Sequence, residues 1–409
     1  MDPREQIIAG LDIGSTKVEA IIAEVVPPGP PKIIGVGRCR SDGLRRGMVV
    51  DLEKTTQTIR TAMSEAEMMA GCSVVSVTTA IAGEHIRSIN SRGVVAVSRQ
   101  SDEIGAEDIE RVVDAARALP IPQDREIIHV LPMEYLIDDQ PGIRRPQGMS
   151  GSRLEAEVLV VTGAMTAVRN IYKSVQNAGY EVANLILESL ACGRALLNPS
   201  EQETGVAIIN LGGGITDIAI FCDGSIRYNV TLAVGGRNIT SDIAIGLRTP
   251  IDAAEEIKTT YGSMQATLQE RKGPISVPGV GDRPPREVSP VLLASIIEPR
   301  AEEIFELTLR EIKKTPYHEL LTSGIILTGG GALLPGMLEL AERIFDLPVR
   351  IGRPTGVEGM KDLAASPAHT TAVGLLLHAA DHVETVRERD TGMLKRWARK
   401  MEYILNEFI

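Results

Sequence analysis

No run of 18 apolar residues occurs in the 409-residue chain, so no segment has the length of a membrane-spanning helix. The opening "MDPREQ" has no basic stretch leading into an apolar one, and no signal peptide is expected. Cysteine is sparse. Cys39, Cys72, Cys192 and Cys222 lie far apart and form no CxxC pair. That excludes a zinc site or disulfide frame of the usual spacing and fits reduced thiols in the cytoplasm. Basic charge is in deficit: the net charge of −11 excludes a general nucleic-acid binder, which needs clustered Lys and Arg. Two common nucleotide signatures are also missing. There is no GxxxxGK[ST] sequence and no GxGxxG turn from strand to helix.

What the chain does contain is a repeated turn. "LDIGSTKV" (Leu11–Val18) reads as strand, glycine turn and strand, and "NLGGGITD" (Asn210–Asp217) repeats it about 198 residues later. A chain this long exceeds one ordinary core, and similarity at this period points to two related lobes facing each other. Around the first turn, Ile7–Ile13 and Lys17–Val26 read as a hairpin, with a third strand near Ile33–Cys39. Asp51 reads as the N-cap of a helix reaching about Ala70, with Gly71 past its end.

Turns of this kind suit phosphate, because backbone N–H groups approach closely where side chains are small. Gly14, Ser15 and Thr16 would form one such turn, with Lys17 neutralising charge and Asp12 holding Mg2+ through water. Gly212, Gly213 and Gly214, followed by Thr216, would form the other. A third set, Gly329, Gly330 and Gly331, ends a strand in "IILTGGGALLPG" and suits a flat adenosine. Any one of these alone is a common turn; the three together in a duplicated chain are specific.

The pattern resembles the actin, Hsp70 and sugar-kinase ATPase superfamily. "LESLACGRALL" (Leu187–Leu197) and "TTAVGLLL" (Thr370–Leu377) match its two connecting helices. Within it the chain resembles the bacterial cell-division family FtsA, through "GVGRCRSDGLRRGMVVDLE", "GDRPPREV" and "VLLASIIEPRAEEI". The resemblance implies an α/β, actin-like ATPase fold of two duplicated RNase H-like lobes, each with an inserted subdomain. Subdomain 1A would take residues 1–83 and 161–197, insert 1C residues 84–160, subdomain 2A residues 198–230 and 301–380, and insert 2B residues 231–300. It further implies ATP and Mg2+ as ligands. Gly14, Ser15, Thr16 and Lys17 would meet the β- and γ-phosphates, and Gly212, Gly213 and Gly214 would bind phosphate from the other lobe. Glu188 would stand near the attacking water, Glu255 and Lys258 would reach ribose and base, and Gly329, Gly330 and Gly331 would line adenosine. For Glu255 and Lys258 the plain alternative is an exposed helix ion pair.

The second motif opens with Asn210 where the family usually has Asp. Asn keeps a hydrogen-bonding oxygen and loses the charge. Nucleotide binding with slow or absent hydrolysis is therefore expected.

The final segment, Met393–Ile409, places Leu394, Trp397, Met401, Ile404, Leu405 and Phe408 on one helical face. Its four basic and two acidic side chains reverse the sign of the rest of the chain, and it holds the only Trp. After a polar linker over residues 381–392, this reads as a helix lying in the plane of a membrane. The plain alternative is a terminal helix docked on the chain's own core. The expected protein binds anionic lipids, itself as a polymer, the C-terminal tail of the tubulin-like ring protein FtsZ and other division proteins, at the inner face of the septal membrane. Arg300 and, less directly, Arg286 match the family's FtsZ-binding surface. A pilus-assembly actin homologue and a small-molecule kinase of the same fold are the alternatives. No substrate constellation is visible for a kinase, and the pilus relative has no tail helix of this kind.

Overall fold

The structure is a computed structural model. It describes residues 6–27, 29–98, 103–264, 273–281, 283–360 and 365–389, with side chains to residue 382. The tail at 393–409 lies outside the described residues.

Two five-stranded sheets carry the fold, and they have the same topology. In the first, Gln6–Ile13 pairs antiparallel with Lys17–Val25, which pairs antiparallel with Lys32–Arg40. On its other side Gln6–Ile13 runs parallel to Ser76–Ile81, which runs parallel to Glu181–Leu187. In the second, Val206–Leu211 pairs antiparallel with Thr216–Cys222, and that strand with Ser225–Leu232. Val206–Leu211 then runs parallel to Ile325–Thr328, and that strand to Val349–Ile351. The registers coincide as well. Asp12 lies opposite Glu19 in the first hairpin, and Asn210 lies opposite Asp217 in the second.

Both faces of each sheet are covered, which is why the strands read as near-continuous apolar runs. One face of the first sheet packs on the helix Leu52–Ala70 through Leu11, Ile22, Ile59 and Met63. That helix starts where Asp51 accepts a bond from the Lys54 N–H, and it ends at Gly71, which adopts the left-handed conformation a side chain disfavours. The opposite face packs on the helix Thr370–Arg389 through Ile8, Ile21, Val25, Ala372 and Leu376. In the second lobe, Leu211 and Ile218 pack with Ile239, Ile297 and Phe305 of the inserted helices. A fully buried side chain of this size contributes about 1.5–3 kcal/mol. The helices Glu188–Leu196 and Thr370–Arg389 pack against each other between the two sheets.

The first insert is a four-stranded antiparallel sheet with the helix Ala106–Arg117 packed on it. Three expected boundaries fall inside elements. The 160/161 division cuts the strand Arg153–Ala164, which pairs along its length within the insert's four-stranded sheet. The 230/231 division cuts the strand Ser225–Leu232. The 300/301 division cuts the helix Pro290–Lys313, whose apolar stripe runs unbroken from Leu293 to Ile312. The linker expected from residue 381 is also revised: the helix from Thr370 continues to Arg389. Residues 381–389 hold no Gly or Pro to stop it, and Glu and Arg are good helix formers.

Candidate functional site

The two hairpin turns close in the same way. Gly14 N–H donates to the Lys17 carbonyl at 3.0 Å, and Gly212 N–H to the Ile215 carbonyl at 3.0 Å. They meet face to face. A Cβ at Gly213 would clash with the Thr16 side chain, and one at Gly214 would come within 2.7 Å of Ser15 Oγ. Glycine at both positions is thus required by contact between lobes.

Beside these turns lies a cleft of about 400 Å3. Its lining includes Asp12, Gly14, Ser15, Thr16, Lys17, Glu188, Asn210, Gly212, Gly213, Gly214, Glu255, Lys258, Gly329, Gly330 and Gly331. Residues separated by more than 300 positions in sequence thus share one cavity. The lining also includes Leu333, Leu334 and Pro335, apolar residues that follow the third glycine turn, and Thr259 next to Lys258 in sequence. Gly329 has φ of 85°, and a side chain there would collide with Asn210 Oδ1 and the Leu211 carbonyl.

Thr216 departs from expectation. It is fully buried, donates its hydroxyl to the Val234 carbonyl at 2.8 Å and does not line the cleft. As the first residue of its strand it packs beneath the turn.

Glu255 and Lys258 are no exposed ion pair. Lys258 is buried, with Nζ donating to Glu255 at 2.7 Å, Thr240 Oγ1 at 2.8 Å and the Gly236 carbonyl at 3.1 Å. Burial lowers its pKa, against the opposing pull of Glu255. Lys17 lines the cleft, but Nζ donates to Glu19 Oε2 at 2.7 Å and to the Ala368 carbonyl at 2.6 Å.

The cleft floor concentrates carboxylates. Burial pushes Asp12 up to about 8, and the charge of Glu188 adds to it. Glu188 and Asp217 are both pushed up by burial, and Glu188 further by the charge of Asp217, to which it is hydrogen-bonded. Asn210 Nδ2 donates to Glu188 Oε1 at 2.6 Å, and Thr371 Oγ1 donates to the same oxygen at 3.0 Å.

Two buried acids behind the cleft lining carried no role in the sequence reading. Asp217 and its counterpart Glu19 occupy the same place in their hairpins. The available signal was an acidic residue near the start of each second hairpin strand, just before an apolar run. Glu19 is fully buried and accepts from Lys17, from Arg38 Nε at 2.5 Å and from His369 Nδ1 at 3.0 Å. Burial alone would raise its pKa; the bonds from His369 and Lys17 outweigh it and hold the carboxyl at about 2.

Arg300 and Arg286 lie away from the cleft on the second insert. Arg300 Nε donates to Asp242 Oδ2 at 2.6 Å and its Nη1 pairs with Glu303; Arg286 donates to the Leu247 carbonyl at 2.7 Å.

A pair of lobes with this duplicated topology defines an actin-like ATPase fold. Solved structures of that class share it. The "PilM-PilN type IV pilus biogenesis complex" superposes with a TM-score of 0.65 at 18% identity, covering 91% of this chain and 98% of that one. MreB5 of Spiroplasma citri bound to ADP superposes with a TM-score of 0.59 at 16% identity, covering 95% and 100%. The family follows from sequence comparison. The model "Cell division protein FtsA" matches residues 207–374, and "SHS2 domain inserted in FTSA" matches residues 83–162. The Cell division protein FtsA of Pseudomonas aeruginosa is 47% identical over 373 residues, covering 91% of this chain and 89% of that protein. The protein of the same name from Escherichia coli is 37% identical over 415 residues, covering 98% of each. The chain belongs to the FtsA family of cell division proteins.

Proposed function

We propose that this chain binds ATP in the interlobe cleft and uses it as a structural switch for polymerisation on the inner face of the cell membrane. The observation that carries the reading is the convergence of three separate glycine turns, with Glu255 and Lys258, on one cleft. Adenosine would lie against Gly329–Gly331, and the phosphates between the two turns. A ligand touching both lobes stabilises the closed arrangement by mass action.

Mg2+ fits the donor set. Asp12 is a hard oxygen ligand at the cleft floor, and among the described residues no group of three or more His, Cys, Asp or Glu forms a cage. The ion would ride on phosphate oxygens, with Asp12 acting through water, as Mg2+ prefers. When bound it would neutralise phosphate charge. The chain's own groups do the rest. Glu188 would orient a water, but Asn210 and Thr371 both donate to its Oε1 and occupy that oxygen. Slow or absent hydrolysis follows.

Among the described residues no helix is long and apolar enough to cross a membrane. The tail, with its apolar face and net positive charge, would supply a reversible peripheral anchor on anionic lipid. Each basic residue near such a surface adds about 1 kcal/mol, and many tails on one polymer multiply that weak hold. The second insert, with Arg300 and Arg286, would hold the FtsZ tail and so tether the ring to the membrane. Calorimetric titration of the full chain with ATP and Mg2+ tests the central claim. Binding that weakens when Asp12→Ala removes the carboxylate is expected; absence of nucleotide binding in the native chain would overturn the reading.

A further inference from the structure

We propose that the folded body makes its own contact with the membrane interface, through Val26, Met68, Met69 and Val75 at the end of the first lobe opposite the cleft. The proposal rests on the tail-anchor reading above and adds a second, apolar point of contact that fixes which way the body faces.

Four large apolar side chains are exposed at that end of the first sheet. Val26 follows the last residue of Lys17–Val25, and Val25 lies opposite Gln6, where the opening strand begins. Val75 precedes Ser76–Ile81, and its carbonyl accepts at 2.9 Å from the N–H of Glu181, where Glu181–Leu187 begins. Met68 and Met69 stand in the last turn of the helix Leu52–Ala70. That helix runs along the sheet towards the same end. A Cβ on Gly37 would meet the Ala62 carbonyl, and one on Gly35, nearer the start of Lys32–Arg40, would meet the Ala66 carbonyl and Ala70. Glu67 Oε1 accepts from the Val74 N–H at 2.9 Å, which brings the methionine turn and the Val75 segment together.

Met68 is 79% and Val75 73% exposed. Met69 comes one turn after Ala66 of the buried stripe, yet it is 54% exposed. Apolar side chains grouped in this way mark an interaction surface. The course of the chain says what covers them. The helix Thr370–Arg389 starts beside the cleft, which Thr371 and Asp12 both line. It then passes along the opening strand, with Ala372 and Leu376 against Gly10 and with Ala379 and Ala380 in the cluster that holds Ile8, Val25 and Ile33. From Thr371 to Arg389 it covers about 27 Å, and from Asp12 to Gln6 the strand covers about 20 Å. The helix therefore delivers its last residue to the end of the lobe that carries the four side chains. Met393, the first residue of the segment read as a membrane-plane helix, is four positions further on, a reach of about 14 Å at most. A tail lying in the interface thus holds this end of the body against lipid. Lys32 and Glu181, both exposed, open neighbouring strands with opposite charges. Attraction to anionic headgroups is left to the tail, and the contribution of the body is apolar.

The only Trp of the chain is Trp397, so the fluorophore can be moved from tail to body. The test takes three full-length proteins: the native chain, Trp397→Phe with Met68→Trp, and Trp397→Phe with Ile245→Trp on the second insert, a position 76% exposed. Each is mixed with ATP, Mg2+ and phosphatidylglycerol–phosphatidylethanolamine vesicles, with and without brominated acyl chains. Circular dichroism melting checks that each is folded. Brominated lipid is expected to quench the indole at positions 397 and 68 and to leave the one at 245 unquenched. Met68→Ser, Met69→Ser and Val75→Ser combined, with Trp397 in place, should weaken vesicle co-sedimentation about tenfold. Quenching at 397 without quenching at 68 overturns the proposal and leaves the anchor intact, as does native-like binding of the triple Ser variant. A blue-shifted but unquenched indole at 68 overturns it in favour of a second copy on this face. Equal quenching at 68 and 245 overturns it too, because no one face then meets the lipid. A native chain that does not bind vesicles overturns the anchor reading itself, and this proposal with it.

Discussion

Asn210 and Glu188 are joined by a 2.6 Å hydrogen bond from the amide of one to the carboxyl of the other. The bond exists because the second hairpin carries an amide where the first carries the carboxylate of Asp12. A carboxylate at 210 would stand against Glu188 and Asp217, two acids already pushed up by burial.

Restoring that carboxylate should change chemistry and stability in opposite senses. Asn210→Asp is expected to raise Mg2+-dependent phosphate release at least about tenfold, measured by a coupled phosphate assay. It should also lower the melting point of the nucleotide-free chain at pH 8 more than at pH 6, because like charges then crowd the floor. Asn210→Ala should destabilise by about 1–3 kcal/mol by removing one of the two donors to Glu188 Oε1. Unchanged turnover in Asn210→Asp would remove Asn210 as the reason for the slow hydrolysis proposed above.

Asp12 and Glu19 predict opposite pH signatures. The folded-state pKa of Asp12 lies above its ordinary value of 3.8, at about 8. The folded chain therefore holds a proton that the unfolded chain has lost, and stability falls as pH rises between those values. Glu19 is held at about 2, below its ordinary 4.5. Its contribution is complete above about 4.5 and is lost as pH falls through 2. Melting curves of nucleotide-free Asp12→Asn should fall less steeply from pH 5 to 8 than native curves. Glu19→Gln should flatten the acid limb. Parallel curves in either comparison would contradict the assignment.

Gly213 separates folding from closure. Gly213→Ala places a methyl group against Thr16, so the lobes must part. The variant should fold, because the clash sits in a turn between lobes and not in either core. Its ATP affinity should drop by about tenfold or more in the same titration. Native affinity would mean that the jaws do not need to touch.

The tail supplies a prediction outside the described residues. A chain ending at Asp390 should lose co-sedimentation with anionic liposomes in the presence of ATP, while keeping nucleotide affinity. Undiminished sedimentation would overturn the anchor.

The duplication, the three turns and the helix Leu52–Ala70 with both its caps were legible in the sequence, because each rests on local rules: the twofold period of strands, the small size of glycine and the side-chain preferences of helix ends. The linker was misread, since polar residues without Gly or Pro continue a helix as readily as they form a loop. The boundary expected at 300 falls inside one helix, because an apolar stripe says nothing about which lobe it serves. Thr216 looked like a phosphate ligand from its position beside glycine, yet its direction depends on which face of the strand is buried. Only the tertiary structure decided that Lys17 gives its charge to Glu19, that Lys258 is buried, and that Arg237 reaches Ser15. These are contacts between residues from 2 to 222 positions apart. Their partners are set by how two lobes close on each other, and no local pattern encodes that distance.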